Sequence, residues 1–300
     1  MKEALFGVFK FFCEKLYGKG LWRFPFLRNT YFFLFKKLGP QGKITVEYKG
    51  IKLFAHSNDI GVTQGFLVRG GYENLEAELF EKALKKGMTV LDLGANIGLY
   101  SLIAASKIGK TGRVYAFEPE PGNYSLLNEN IKYNNYENII LPFNNAVSNK
   151  DGETLKLFLD KDNLSCPSFS VENIPDYSRT KSVNVKTVTL DKFLKSTILK
   201  DGRKSVDIIK IDVQGAEDLT FSGAQNLLKN AKELTIFMEY WPFGIRNLKG
   251  NPEKMLEMFD KLGFKFYIVD EFEKKLTKNT LKEVLKKAED KWNINIVMKK

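Results

Sequence analysis

His56 is the only histidine among 300 residues, and the two cysteines, Cys13 and Cys166, lie outside any C-x-x-C pair. Chemistry that needs two imidazoles is excluded by counting, and a cysteine-rich zinc site or disulfide scaffold is disfavoured. Acid-base work is left to carboxylates, and His56 reads as a structural or exposed residue. Four acids sit at or near the end of an apolar run. They are Asp92 in Val90-Leu-Asp-Leu-Gly-Ala-Asn-Ile-Gly, Glu118 after Arg113-Val-Tyr-Ala-Phe, Asp212 after Val206-Asp-Ile-Ile-Lys-Ile, and Glu239 after Leu234-Thr-Ile-Phe-Met. Open α/β sheets bind ligands in the crevice outside the carboxyl ends of their strands, so these acids are the candidates for a site.

The turn that holds Gly94, Ala95, Asn96 and Gly98 says which ligand. A dinucleotide fingerprint, G-x-G-x-x-G, lets backbone approach a pyrophosphate; here Asn96 takes the middle glycine position and Asp92 stands two residues before Gly94. That carboxylate repels a pyrophosphate. S-adenosylmethionine has no phosphate and carries a sulfonium and an ammonium group, so an acid beside a bare-backbone turn suits it. Glu118, 24 residues after Gly94, is placed to accept hydrogen bonds from both ribose hydroxyls. Asn145 and Ala146, in Asn145-Ala-Val-Ser after the third strand, suit an adenine edge. The joint pattern predicts S-adenosylmethionine as cofactor.

Methyl transfer to an oxygen is an in-line displacement in which the acceptor hydroxyl loses its proton, so a base must lie within hydrogen-bond reach. Asp212 is the first choice for base or substrate-orienting carboxylate. Glu217, in the first turn of the next helix, either joins the catalytic set or caps that helix's amides. Glu239 completes the catalytic candidates, and Trp241 behind it either stacks on a flat face of the acceptor or rims the domain. Tyr72 and Glu73 ahead of the sheet, and Ser165-Cys-Pro-Ser-Phe-Ser, are expected to roof the pocket. Asp212, Glu217 and Glu239 have oxygens that suit a hard cation, but the spacing calls for no metal.

These residues need elements to hold them. Residues 40 to 70 read as short strands, with Lys49-Gly50 as a hairpin turn between Ile44-Thr-Val-Glu-Tyr and Ile51-Lys-Leu-Phe-Ala. Glu73 to Lys86 has helical spacing closed by Gly87. From Met88 strand and helix alternate, which predicts a parallel sheet with crossover helices and a closing strand at Ile294 to Met298. The expected organisation is a helical extension over 1–38, a cap over 39–86, and a cofactor domain over 87–300 carrying an inserted hairpin at 153–190.

Asp92-Leu-Gly-Ala-Asn-Ile-Gly, Phe117-Glu-Pro, Asn145-Ala-Val-Ser, Lys210-Ile-Asp-Val-Gln-Gly-Ala-Glu and Met238-Glu, in this order, resemble the FkbM family of S-adenosylmethionine-dependent methyltransferases. The resemblance runs from about Asp59 through Val269 and is most specific at Lys210 to Glu217. It implies a class I methyltransferase α/β fold, a Rossmann-like and mostly parallel sheet with an antiparallel last strand. It also implies O-methylation of a hydroxyl on a sugar, glycan or related metabolite. Tyr72-Glu73 matches a pair the family carries ahead of the cofactor domain. The family usually has Glu where this chain has Gln214.

Composition frames the partners. Hydrophobic residues are 43% and charged residues 28%, which is enough to bury a full core, and the net charge is +11, which favours anionic partners. The first 38 residues carry eight basic residues against Glu3 and Glu14, leaving +5 on the remaining 262. That remainder is a weak footprint for nucleic acid, and Asp212-Val-Gln-Gly replaces the Asn/Asp-Pro-Pro-aromatic motif of base-amino methylases. RNA methylation and a non-catalytic membrane-bound module are the alternatives. Leu5, Phe6, Phe9, Phe12, Cys13 and Leu16 fall on one helical stripe among lysines, too short to span a bilayer. We expect a cytoplasmic protein whose residues 1–38 touch the membrane surface.

Overall fold

A computed structural model describes residues 2–16, 24–57, 59–69, 74–161, 163–289 and 293–300. Helices α1 (Lys2–Leu16) and α2 (Pro25–Leu38) pack on each other through Phe6, Phe9, Tyr31 and Phe35. Strands β1 (Lys43–Tyr48) and β2 (Ile51–His56) then form the expected hairpin. Its turn residues Lys49 and Gly50 have φ of 46° and 87°, the two left-handed positions that suit the right-handed twist of paired strands. Alternation buries Val46, Tyr48, Leu53 and Ala55 against the domain below.

The strand pattern expected to continue to residue 70 gives way to a helix, α3 (Val62–Arg69). The cause is local: the Asp59 carboxylate accepts hydrogen bonds from the amides of Gly61, at 3.2 Å, and Thr63, at 3.1 Å, satisfying donors that a helix start leaves orphaned. Helix α4 (Asn74–Ala83) follows.

The domain beyond alternates as predicted. Strand β3 (Thr89–Leu93), helix α5 (Leu99–Ile108), strand β4 (Arg113–Phe117), helix α6 (Pro121–Tyr133) and strand β5 (Ile140–Phe143) wind outward in one direction. Short β6 (Ala146–Val147), with β7 (Thr154–Asp160) and β8 (Arg179–Val188), forms a separate three-stranded sheet in the order β6-β8-β7, so the insertion is not an edge of the main sheet. One-turn α7 (Leu190–Phe193) leads to β9 (Ile208–Ile211), α8 (Glu217–Ser222), α9 (Gln225–Asn230), β10 (Thr235–Tyr240), α10 (Pro242–Asn247) and α11 (Pro252–Lys261). The chain closes with β11 (Lys265–Asp270), β12 (Lys275–Asn279), α12 (Leu281–Glu289) and β13 (Ile294–Lys299).

The eight-stranded sheet runs β12-β11-β13-β10-β9-β3-β4-β5. Strands β5, β4, β3, β9 and β10 are parallel, while β13 lies antiparallel between β10 and β11. This is the mixed, mostly parallel α/β sheet with an antiparallel last strand that the resemblance implies. Every residue of β3 is buried because the two faces of the sheet belong to two apolar clusters: Val90 to the one that includes residues of the hairpin, α4, α5 and α6, and Leu91 to the one that includes residues of α9, α11 and α12. Strand order reverses between β3 and β9, and that switch point opens the crevice at their carboxyl ends.

Candidate active site

Two loops meet at the switch point at the closest approach backbone allows. Gly94 follows β3 with φ of 82°, and a Cβ built on it would stand 1.9 Å from the carbonyl oxygen of Asp212, which follows β9. Only glycine fits there. The amides of Gly94 and Ala95 both donate to the Phe117 carbonyl at 2.9 Å, and the Asp212 amide donates to the Leu93 carbonyl at 2.9 Å. Asn96 is left-handed at φ 52°, and Gly98, at φ 98°, opens α5. The loop is thereby held by neighbouring strands, with its backbone turned to the cleft.

The cleft encloses about 950 Å³ including its open mouth. Asp92, Gly94, Ala95, Asn96, Glu118, Asn145, Ala146 and Asp212 all line it, so eight of the residues read from the sequence converge on one space. Gly98 shapes the turn from behind. Glu118 is buried; its Oε2 accepts from the Asn96 amide at 2.7 Å and its Oε1 from the Glu120 amide at 2.8 Å. Burial outweighs these bonds and raises its carboxyl to about 8. Each oxygen keeps lone-pair capacity for a ribose hydroxyl. Asp92 is buried too, and burial raises it to about 6 although Ser101 Oγ donates to it at 2.5 Å and the Lys210 charge opposes the rise. Desolvated carboxylates that await cations and hydroxyl donors fit S-adenosylmethionine. Asp92 would face its cationic end and Glu118 its ribose.

On the acceptor side, Gln214 is left-handed at φ 51°, which turns its amide between two acids. Gln214 Nε2 donates to Asp212 Oδ1 and, at 3.3 Å, to Glu239 Oε2. Glu239 Oε1 also accepts from Asn293. A glutamate at 214 would add a third negative charge here, whereas the amide supplies a donor to both carboxylates. The chain's departure from the family pattern thus changes the electrostatics of the site. The insertion fixes this loop, since Ser168 Oγ and Asn173 Nδ2 donate to the Gln214 carbonyl at 3.0 and 3.2 Å.

The expected roof is present in Ser165, Cys166, Pro167 and Phe169, which line the cleft. Ser165 Oγ lies 3.1 and 3.2 Å from the two Asp59 oxygens, tying the roof to the start of α3. Burial and the nearby Asp212 and Glu239 charges push the Cys166 thiol up. Tyr72 and Glu73 lie outside the described residues.

Two of the sequence candidates lie apart from the cleft. Glu217 does not line the cleft; its Oε1 accepts from the Gly215 amide at 3.3 Å, and its carboxyl, raised to about 7 by burial, serves the start of α8. Trp241 is only 7% exposed, and its ring lies over the Gly244 backbone, so it has no face to offer a sugar. His56 ends β2, away from the cleft. Among the described residues, no three Cys, His, Asp or Glu side chains gather as a metal site.

Sequence reasoning missed one constellation. Lys210, 2% exposed on β9, lines the cleft and pairs at 3.0 Å with Glu76 of α4, which is 0% exposed. Lys210 Nζ also stands 4.7 Å from the Tyr100 ring centroid, and Asn295 Nδ2 donates to Glu76 Oε2 at 2.8 Å. The available signal was a lysine inside Ile208-Ile-Lys-Ile, a run otherwise built for burial.

Residues 92–266 match the family model described as the methyltransferase FkbM domain. Over 81 residues the chain is 41% identical to ribosomal RNA large subunit methyltransferase E of Lawsonia intracellularis, covering 23% of this chain and 40% of that protein. The namesake from Nitratidesulfovibrio vulgaris is 34% identical over 96 residues, covering 28% of this chain and 47% of the relative. The chain spans less than half the length of these curated relatives. Among solved structures, methyltransferase FkbM from Methylobacillus flagellatus is similar with a TM-score of 0.40 and 12% identity, covering 78% of this chain and 52% of that one. The O-methyltransferase from Bacillus cereus in complex with SAH has a TM-score of 0.41 and 13% identity, covering 81% and 82%. With more than half of its 300 residues matched by the family model, the chain belongs to the FkbM methyltransferase family.

Proposed function

We propose that the chain methylates a hydroxyl oxygen on a sugar, glycan or related small metabolite. The observation that carries this reading is Asp212, a carboxylate on the cleft wall held by Gln214 and linked through it to Glu239. Bound S-adenosylmethionine supplies a methyl group on cationic sulfur, which departs as a neutral thioether. The chain's part is to place the acceptor oxygen and take its proton. As the new O–C bond forms, the hydroxyl proton passes to Asp212. Glu239, fixed by Gln214 and Asn293, keeps a negative field behind that carboxylate and favours its protonated form in the transition state.

RNA methylation is the second reading, resting on the names of the curated relatives and on the +11 charge. The excess of +5 outside residues 1–38 weakens it. Methyl-labelled S-adenosylmethionine decides between them when offered with monosaccharides and nucleotide sugars in one set and ribosomal RNA in another. Label is expected in the carbohydrate fraction as an alkali-stable ether. Label confined to RNA would replace this reading with the second.

A further inference from the structure

We infer that α1 and α2 form a docking surface for an anionic phospholipid bilayer. The expected single apolar stripe of α1 is divided in the structure. Phe6 and Phe9 face inward, 6.2 Å from Phe35 and 5.3 Å from Tyr31, and satisfy the packing of the helix pair. Leu5, Val8, Phe11 and Phe12 form a second stripe on the outside, each at least 50% exposed. On α2, Phe26 is 77% and Phe33 61% exposed. Soluble surfaces rarely expose so many large apolar side chains on two adjacent helices, and among the described residues nothing buries them.

The charge around the patch selects the partner. Lys15 Nζ lies 5.6 Å from the Phe11 ring and Lys37 Nζ 5.6 Å from the Phe33 ring, so cations flank the exposed aromatics. Helix α2 contains no acid, and residues 1–38 carry +6. A second copy of the chain meeting this face by two-fold symmetry would bring +6 against +6. Nucleic acid would find phosphate contacts but leave the aliphatic Leu5 and Val8 exposed. A headgroup layer with acyl chains beneath it satisfies both chemistries at once. The helices have 15 and 14 residues, about 22 Å each, against the ~30 Å of a bilayer core. Among the described residues, no helix is long and apolar enough to cross a membrane, so α1 and α2 would lie along its surface. Their link to the cleft is α3: it contacts α1, Gln64 donates to Tyr31, and Val62 in its first turn lines the cleft.

Flotation of the full chain with vesicles tests the inference. The wild type should float with phosphatidylcholine–phosphatidylglycerol vesicles at low salt, and far less with phosphatidylcholine alone or at high salt. Phe11→Ser/Phe12→Ser/Phe33→Ser should lower partitioning at least about a hundredfold. Lys15→Gln/Lys36→Gln/Lys37→Gln should lower it about fivefold for each lysine, on anionic vesicles only. Thermal stabilisation by S-adenosylhomocysteine, unchanged in both, reports folding. If the aromatic variant loses that response, the lysine variant, altered only at exposed side chains, still decides. A wild type that stays at the bottom with anionic vesicles overturns the proposal. So does a self-association broken by the aromatic changes without vesicle binding, or retention of RNA in place of lipid.

Discussion

Replacing Asp212 by Asn is expected to lower kcat by ~10²–10⁴ while S-adenosylhomocysteine affinity stays within about threefold. An amide keeps the shape of the carboxylate, and its oxygen can still accept from Gln214 Nε2, so the loop after β9 is retained. What it cannot do is take a proton. The loss therefore falls on turnover, the signature of an interaction made only in the transition state. Asp92→Asn provides the contrast. Asp92 is buried against Ser101 on the cofactor side, so its change should raise the cofactor's dissociation constant more than it lowers kcat. Steady-state kinetics beside calorimetric titration separate the two effects, and small, equal changes in both parameters for Asp212→Asn would remove it from the mechanism.

The second large effect is on stability. Glu76→Ala should destabilise the fold by about 3–5 kcal/mol, because Lys210 would be left charged and 2% exposed with its carboxylate partner gone. Lys210→Met alone should cost a similar amount by stranding Glu76. The double variant Glu76→Gln/Lys210→Met should recover part of both losses, since no uncompensated charge remains and the two sites are in contact. Urea denaturation measures all three. If either single variant loses under about 1 kcal/mol, the pair is not desolvated as its burial implies. The pair matters beyond stability because it joins α4 to β9 one residue before the strand end, two residues ahead of Asp212. A shift there moves the cleft wall.

The residues that line the cleft after β3 and β4 were legible because their signals are local. An acid, a glycine that no other residue can replace, and a second acid one strand later are set by the strand-turn-helix unit itself. The Lys49-Gly50 hairpin was legible for the same reason, as were the parallel strands, whose apolar runs admit burial on both faces. Long-range pairing was not. Glu76 and Lys210 lie on elements 134 positions apart, and an acid in the first turn of a helix is ordinarily solvated. Helix α3 was misread because its start depends on the Asp59 side chain, whose capping bonds compete with the extended pattern before it. On α1 the periodicity marked apolar positions without telling the inward face from the outward one, because both are apolar. Trp241 looked available because aromatics beside a strand end often are; the bare Gly244 backbone lets the ring lie flat and buried.

That the cleft at the β3–β9 switch point holds S-adenosylmethionine is tested most directly by calorimetric titration with S-adenosylhomocysteine, with NAD as the comparison. Glu118, raised to about 8 by burial, is protonated at neutral pH in the unliganded chain. Ribose hydroxyls donating to it favour the ionised form, so binding should release a proton, and affinity should rise with pH and level off above about 8. Heats measured in two buffers of different ionisation enthalpy report that proton. The account predicts one-to-one binding with proton release, about 2.7 kcal/mol of added stability at 100 times the dissociation constant, and no response to NAD. Stabilisation by NAD without binding of S-adenosylhomocysteine, or binding accompanied by proton uptake, would contradict it.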